Sequence, residues 1–284
     1  MRVVLIYNNS SGGRYTLQKL RRICHENDIV ISYNFTVRQL NSPKLAALIQ
    51  QGVIIMAVGG DGTMNSVARL VVDSPSTLLP LPGGTLNHFV RDLGMNGTVE
   101  ELVSGSKKAS EQVVDVGYVN EELFLNNSSL GLYPFSLLER KKDRPLLTKW
   151  TAALYAGLWQ LIVFRRHRLV IDGKQVRSPF IFIGNNVYDI TSSLIPQRKK
   201  LNKAVLTVMI ATSRSRWHLV RAGFNIVRGK VNHLDDFSVS KRKNIDIYTS
   251  SQALPVSYDG EVKHLASPFY YRSHPKSLKV LVIK

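Results

Sequence analysis

Three short apolar runs within residues 1–90 each break into a polar, glycine-containing loop, and each loop leads toward a segment of helical period. Val3–Tyr7 runs into Asn8-Asn9-Ser10-Ser11-Gly12-Gly13, Val53–Val58 into Gly59-Gly60-Asp61-Gly62-Thr63, and Thr77–Leu81 into Pro82-Gly83-Gly84-Thr85-Leu86-Asn87. A short apolar run without alternation is what a strand buried on both faces needs. Helices are predicted over Thr16–Glu26, Pro43–Gln50 and Met64–Val72, the second with proline in its first turn, and a further strand over Ile29–Phe35. Repeated strand–helix alternation predicts an α/β fold on a doubly wound parallel sheet, with ligands at the carboxyl ends of the strands. All three loops lie at those ends.

Near Asp115 the pattern changes to β-rich segments: Val113–Tyr118, Leu123–Asn127, Leu169–Ile171, Phe180–Ile183, Val205–Ile210, Phe237–Val239, Ile245–Tyr248, Val256–Tyr258 and Leu278–Ile283. Turns at Asp172-Gly173 and Asp259-Gly260 punctuate them, and two helical stretches interrupt, about Leu146–Phe164 and Trp217–Val227. We therefore expect a nucleotide-type α/β domain over 1–112 and a β-rich domain over 113–277, with a final strand, 278–284, free to return to the first. A chain of 284 residues, 44% hydrophobic, can bury two cores and is not disordered. Its single cysteine, Cys24, excludes an intramolecular disulfide and a cysteine-built zinc site, which fits a cytoplasmic protein. Val3–Tyr7 is too short for a signal-peptide core, and the apolar stretch Thr151–Phe164 falls short of the about 20 residues that span a bilayer.

The loop at Gly59–Thr63 has the chemistry of an anion site. Glycines admit phosphate oxygens close to the backbone, and the free N–H groups and dipole of a helix start favour negative charge. An aspartate there repels phosphate unless a cation stands between them, so Asp61 points to a Mg²⁺-nucleotide. A β-turn with Asp61 as helix N-cap accounts for the same residue without a ligand. No Gly-Lys-Ser/Thr follows, so the loop is not a Walker A motif.

Gly59-Gly60-Asp61-Gly62-Thr63, then Pro82-Gly83-Gly84-Thr85-Leu86-Asn87-His88-Phe89-Val90-Arg91-Asp92-Leu93-Gly94, then Tyr258-Asp259-Gly260-Glu261 resemble, in that order, the diacylglycerol kinase catalytic-domain family. That family includes bacterial soluble lipid kinases and sphingosine kinases. Val114-Asp115-Val116-Gly117 and Phe124–Gly131 resemble its entry into a β-sandwich domain, so the likeness runs through nearly the whole chain. NAD kinases and phosphofructokinases share a Gly-Gly-Asp-Gly motif; the Pro-Gly-Gly-Thr-Leu-Asn block is what favours the lipid kinases.

The resemblance implies ATP between the two domains, Mg²⁺, and transfer of the γ-phosphate to a lipid hydroxyl. The matching nucleotide positions are Asn8, Ser10, Ser11, Gly12, Thr36, Gly59, Gly60, Asp61, Gly62, Thr63, Asn65, Thr85 and Asn87. Asp61 and Asp259 are expected to manage Mg²⁺ and the γ-phosphate, and Glu261 to accept the substrate proton, since an alcohol must lose its proton as it attacks phosphorus. Which carboxylate is the base stays open, and Asp259-Gly260 alone reads equally as a hairpin turn. Two departures stand out. His88 replaces an aspartate that many bacterial members carry. In Leu201-Asn202-Lys203-Ala204-Val205-Leu206, Lys203 takes the place of an aspartate that helps hold a structural Mg²⁺ in the family's Leu-x-Asp-Gly-x-Leu segment. An ammonium cannot ligate magnesium, so no structural metal is expected there.

The formal net charge of +18 attracts something anionic. Basic residues crowd 140–177 and 190–234, on both sides of the apolar segment Trp150–Phe164, which suits either lipid contact or core packing. No zinc-finger spacing or RNA-recognition aromatic signature supports nucleic acid. The expectation is a cytoplasmic lipid kinase, peripherally associated with an anionic membrane surface, with a homodimer left open. An NAD kinase-like enzyme and a catalytically silent lipid-binding member of the fold are the rival readings.

Overall fold

The computed structural model describes residues 1–9, 15–130, 167–188, 198, 200–212 and 237–283. The chain divides into two compact units: Met1–Val116 with Lys200–Ala204 and His274–Lys284, and Gly117–Lys199 with Val205–Ser273. The helices expected over Leu146–Phe164 and Trp217–Val227 lie outside the described residues.

In the first unit strands and helices alternate: β1 (Arg2–Tyr7), α1 (Leu17–Glu26), β2 (Val30–Thr36), α2 (Pro43–Gln50), β3 (Ile54–Gly59), α3 (Asp61–Val71), β4 (Thr77–Pro82), α4 (His88–Asp92) and α5 (Val99–Ser104). The strands lie in the order β2-β1-β3-β4, all parallel, and the far half of β16 (Phe269–Val282) adds to β4 through Val280 opposite Leu78. The order reverses between β1 and β3, which is where a doubly wound sheet binds its ligand. Leu5, Ile6, Ile55, Met56 and Ala57 are buried, as strands covered on both faces require. Helix starts are fixed locally: Thr16 caps α1 by accepting the Lys19 N–H at 3.3 Å, and Thr98 and Glu101 form a reciprocal capping box on α5. Helix α3 begins at Asp61 rather than Met64, because extended Gly60 serves as its N-cap.

One buried carboxylate ties together the three chain segments of this unit. Asp115, 1% exposed, accepts the Ala204 N–H at 2.7 Å on Oδ2 and the Lys276 N–H at 2.9 Å on Oδ1. Its own N–H donates to the Leu201 carbonyl at 2.8 Å. A buried charge needs such partners, and backbone amides supply them here.

The second unit is a sandwich of two sheets. It holds the end of β5 (Ser110–Val119), β6 (Glu122–Phe124), β7 (Asn127–Leu130), β8 (His167–Ile171), β9 (Lys174–Ser178), β10 (Ile181–Asn185), β11 (Leu206–Ala211), β12 (Phe237–Arg242), β13 (Asn244–Thr249), β14 (Ala253–Tyr258), β15 (Glu261–Ala266) and the near half of β16. One antiparallel sheet runs β12-β11-β10-β7-β14-β15; in the other, β16, β13, β8 and β9 lie side by side. Both contribute to one core, with Ile183, Val208 and Val256 from the first and Ile245, Leu169 and Tyr271 from the second. Leu123–Asn127, expected as one strand, is broken at Leu125-Asn126, for a reason given below. Strands β9 and β15 carry no apolar alternation to read in the sequence, because both are edge strands with mostly exposed side chains.

Candidate active site

In the first unit two glycine loops touch backbone to backbone. Gly83 N–H donates to the Gly59 carbonyl at 2.8 Å. A Cβ on Gly83 would stand 2.8 Å from the Gly59 Cα, and one on Gly84 2.5 Å from the Gly60 Cα, so no side chain fits at either position. Thr63, buried, packs its side chain on Gly59 from within α3 and accepts the Asn8 Nδ2–H at 3.4 Å across the β1/β3 switch point. The first N–H groups of α3 therefore lie near glycine backbone, Thr63 and Asn8, groups whose chemistry suits phosphate oxygens.

Asp61 opens α3, and its Oδ1 accepts the Phe89 N–H at 3.3 Å, linking the two loops. Its other oxygen has no hydrogen-bond or ion-pair partner among the described residues. Asn87 stands in the left-handed region at φ +50°; its Oδ1 accepts the Gly84 N–H at 2.9 Å and its Nδ2 donates to the Gly84 carbonyl at 3.0 Å. That side chain holds the loop's shape. Asn65 is buried and accepts the Arg69 Nε–H at 2.9 Å, and Thr36 caps a single turn through Gln39. Thr85 is exposed on the loop. Ser10, Ser11 and Gly12 lie outside the described residues.

In the second unit the two carboxylates of Asp259-Gly260-Glu261 have different surroundings. Asp259, at φ +45°, accepts three backbone N–H groups: Leu125 at 2.6 Å on Oδ2, and Asn126 at 2.8 Å and Asn127 at 3.2 Å on Oδ1. This grip breaks the strand at Leu125-Asn126, since those amides point to a carboxylate instead of a neighbouring strand. The same loop is held from its other side by Arg198, 2% exposed, whose Nη1 donates to the Leu125 carbonyl at 2.6 Å and Nη2 to Asn126 Oδ1 at 2.6 Å. Asn185 Nδ2 donates to the Leu125 carbonyl at 3.0 Å, and the Tyr188 hydroxyl to the Asn126 carbonyl at 2.8 Å. Glu261 is exposed, opposite Tyr258 in the β14/β15 register, and has no hydrogen-bond or ion-pair partner among the described residues. Asp259, expected to share Mg²⁺ with Asp61, has both oxygens occupied by amides and could bind a metal only by releasing the loop. Arg198 escaped sequence reasoning because it sits in a run of basic residues that reads as a solvated face. Asn185 sits at the end of an apolar strand with no signal of its own.

The chain is 24% identical over 178 residues to an Enterobacter sp. (strain 638) protein named "probable lipid kinase YegS-like", covering 60% of each chain. It is 26% identical over 233 residues to a diacylglycerol kinase of Bacillus subtilis (strain 168), covering 76% of this chain and 73% of that one. The fold matches the crystal structure of a candidate diacylglycerol kinase from Bacillus anthracis str. Sterne at a TM-score of 0.73 and 21% identity, over 98% of this chain and 96% of that one. Residues 2–119 match the sequence profile of the diacylglycerol kinase catalytic domain.

Proposed function

We propose that this protein is a lipid kinase that transfers the γ-phosphate of ATP, with Mg²⁺, to a hydroxyl of a membrane lipid. The observation that carries the reading is the backbone contact of the glycine loops that follow β3 and β4, with a carboxylate oxygen of Asp61 left over beside them. No group of three or more His, Cys, Asp or Glu among the described residues forms a metal cage, so Mg²⁺ would be held by Asp61 together with phosphate oxygens. When bound it neutralises the phosphoryl oxygens. Asn8, Thr63 and the α3 amides bind the phosphates, and the glycines let them approach.

Glu261 is the proton acceptor in this reading. Of the two carboxylates in its motif it alone is exposed and uncommitted, while Asp259 holds the loop. No helix among the described residues is long and apolar enough to cross a membrane. In this reading the +18 charge draws the protein to an anionic bilayer, at whose surface it meets the acceptor hydroxyl.

The test is transfer of the ATP γ-phosphate to a panel of lipid alcohols in mixed micelles, with Glu261→Ala alongside. Transfer to one lipid class, lost in the variant, supports both substrate class and base. If no lipid alcohol is phosphorylated by a protein that binds ATP, the reading fails, and phosphorylation of soluble NAD is the next assay.

A further inference from the structure

Glu261 opens β15, which among the described residues is an edge strand paired to β14 alone. An edge strand is held on one side only, yet a proton acceptor has to stay within a fraction of an ångström of its working position. What steadies it is visible in the residues on either side. Two positions earlier, Asp259 is gripped by the amides of Leu125, Asn126 and Asn127. Two positions later, Lys263 Nζ bonds Glu122 Oε1 at 2.7 Å. Both anchors come from one stretch of chain, Glu122–Asn127.

Alternation along β15 puts Glu261 and Lys263 on one face, opposite Tyr258 and Val256 of β14. Lys263 lies over the Tyr258 ring, 5.9 Å from its centroid, and that ring is 1% exposed. The Glu122 side chain is 15% exposed, and Glu122 itself is registered against Val119 of β5, so the acceptor end of the tie is fixed. Its hydrogen bond raises the Lys263 ammonium above the ordinary value, against a smaller opposing effect of burial.

We infer that Lys263 is a positioning residue for Glu261: its tie to Glu122, with the Asp259 grip, clamps the start of β15 at both flanks. The inference rests on the reading of Glu261 as the base. Because the Lys263 side chain is 53% exposed, the tie adds little to global stability, and its effect is on rate.

The experiment uses the full chain and the best acceptor of the lipid-alcohol panel, with variants Lys263→Met, Lys263→Arg, Glu122→Gln and Glu261→Gln. Lys263→Met and Glu122→Gln are each expected to lower kcat about tenfold to a hundredfold, with KM for ATP changed less than about twofold. Combining them lowers it no further, because both remove the same tie. Lys263→Arg, which keeps the pair, is expected to restore kcat to within about threefold of the original. Wild-type kcat in Lys263→Met beside an inactive Glu261→Gln would overturn the positioning role alone. Wild-type kcat in Glu261→Gln would remove the base assignment and the positioning role with it. If no lipid alcohol accepts phosphate, amide hydrogen exchange decides the clamp: faster exchange of Val262–Leu265 in Lys263→Met keeps it, and unchanged exchange rejects it.

Discussion

Replacing Gly84 with alanine probes a close backbone-to-backbone approach in the first unit. The added Cβ would stand 2.5 Å from the Gly60 Cα, 3.2 Å from its nitrogen and 3.1 Å from Asn87 Oδ1. Carbon atoms in contact sit about 3.5–4.0 Å apart, so the loops must separate by roughly 1 Å. The obstructing atoms are mainly backbone and cannot rotate away. Overpacking of this kind costs about 1–3 kcal/mol. At about 2–4 °C per kcal/mol, the thermal midpoint should fall by about 2–12 °C. Phosphate-binding amides displaced by that distance should weaken ATP binding about tenfold or more, read by titration calorimetry. Gly173→Ala is the control: its glycine, at φ +78°, has nothing within 4 Å of a Cβ and lies in the second unit, so that variant carries backbone strain without a clash and should leave the ATP Kd unchanged. A Gly84→Ala protein with an unaltered midpoint and Kd would refute the close-contact argument.

Other outcomes follow from single residues. Ala204 sits at φ +55°, where glycine is at ease, so Ala204→Gly should stabilise the protein by about 0.5–1 kcal/mol in urea unfolding; destabilisation would mean the methyl group packs usefully. Asp259→Asn turns one acceptor into a donor facing amides, at about 1–3 kcal/mol and with reduced kcat. Its Mg²⁺ requirement should stay within about twofold of wild type, whereas a metal ligand would raise it far more. Burial pushes the Cys24 thiol up to about 11, so it should resist iodoacetamide at pH 8 until the protein is unfolded. Its folded pKa lies above the ordinary 9.0, so the unfolded chain ionises first and stability is lost as pH rises from 9 toward 11; a Cys24→Ser chain should lack that component of the alkaline slope.

The parallel sheet was legible because Val3–Tyr7, Val53–Val58 and Thr77–Leu81 are buried on both faces and so read as unbroken apolar runs. Strands β9 and β15 were not, since Lys174–Ser178 and Glu261–Ala266 lie at edges and expose most of their side chains. The three glycine loops declared themselves by composition, but the contact of Gly83 and Gly84 with Gly59 and Gly60 is a property of how adjacent strands end. The occupation of Asp259 could not be read either. Its partners are backbone amides more than 130 residues away, and an amide has no letter in a sequence. Arg198 shows the converse: a residue whose type and neighbours suggest solvent is buried under a loop whose carbonyls need a donor.

The first unit has a consequence for how the protein is made. Its sheet is finished by the 274–282 half of β16, which leaves the ribosome after every residue of the second unit has been synthesised. Until then the edge of β4, with Leu78, Leu79 and Leu81, lacks its β16 neighbour on the nascent chain. The part encoded first is thus the part completed last. During translation its sticky border must be shielded by a chaperone or by speed, and a stall late in the message would release a second unit able to fold beside a first that cannot.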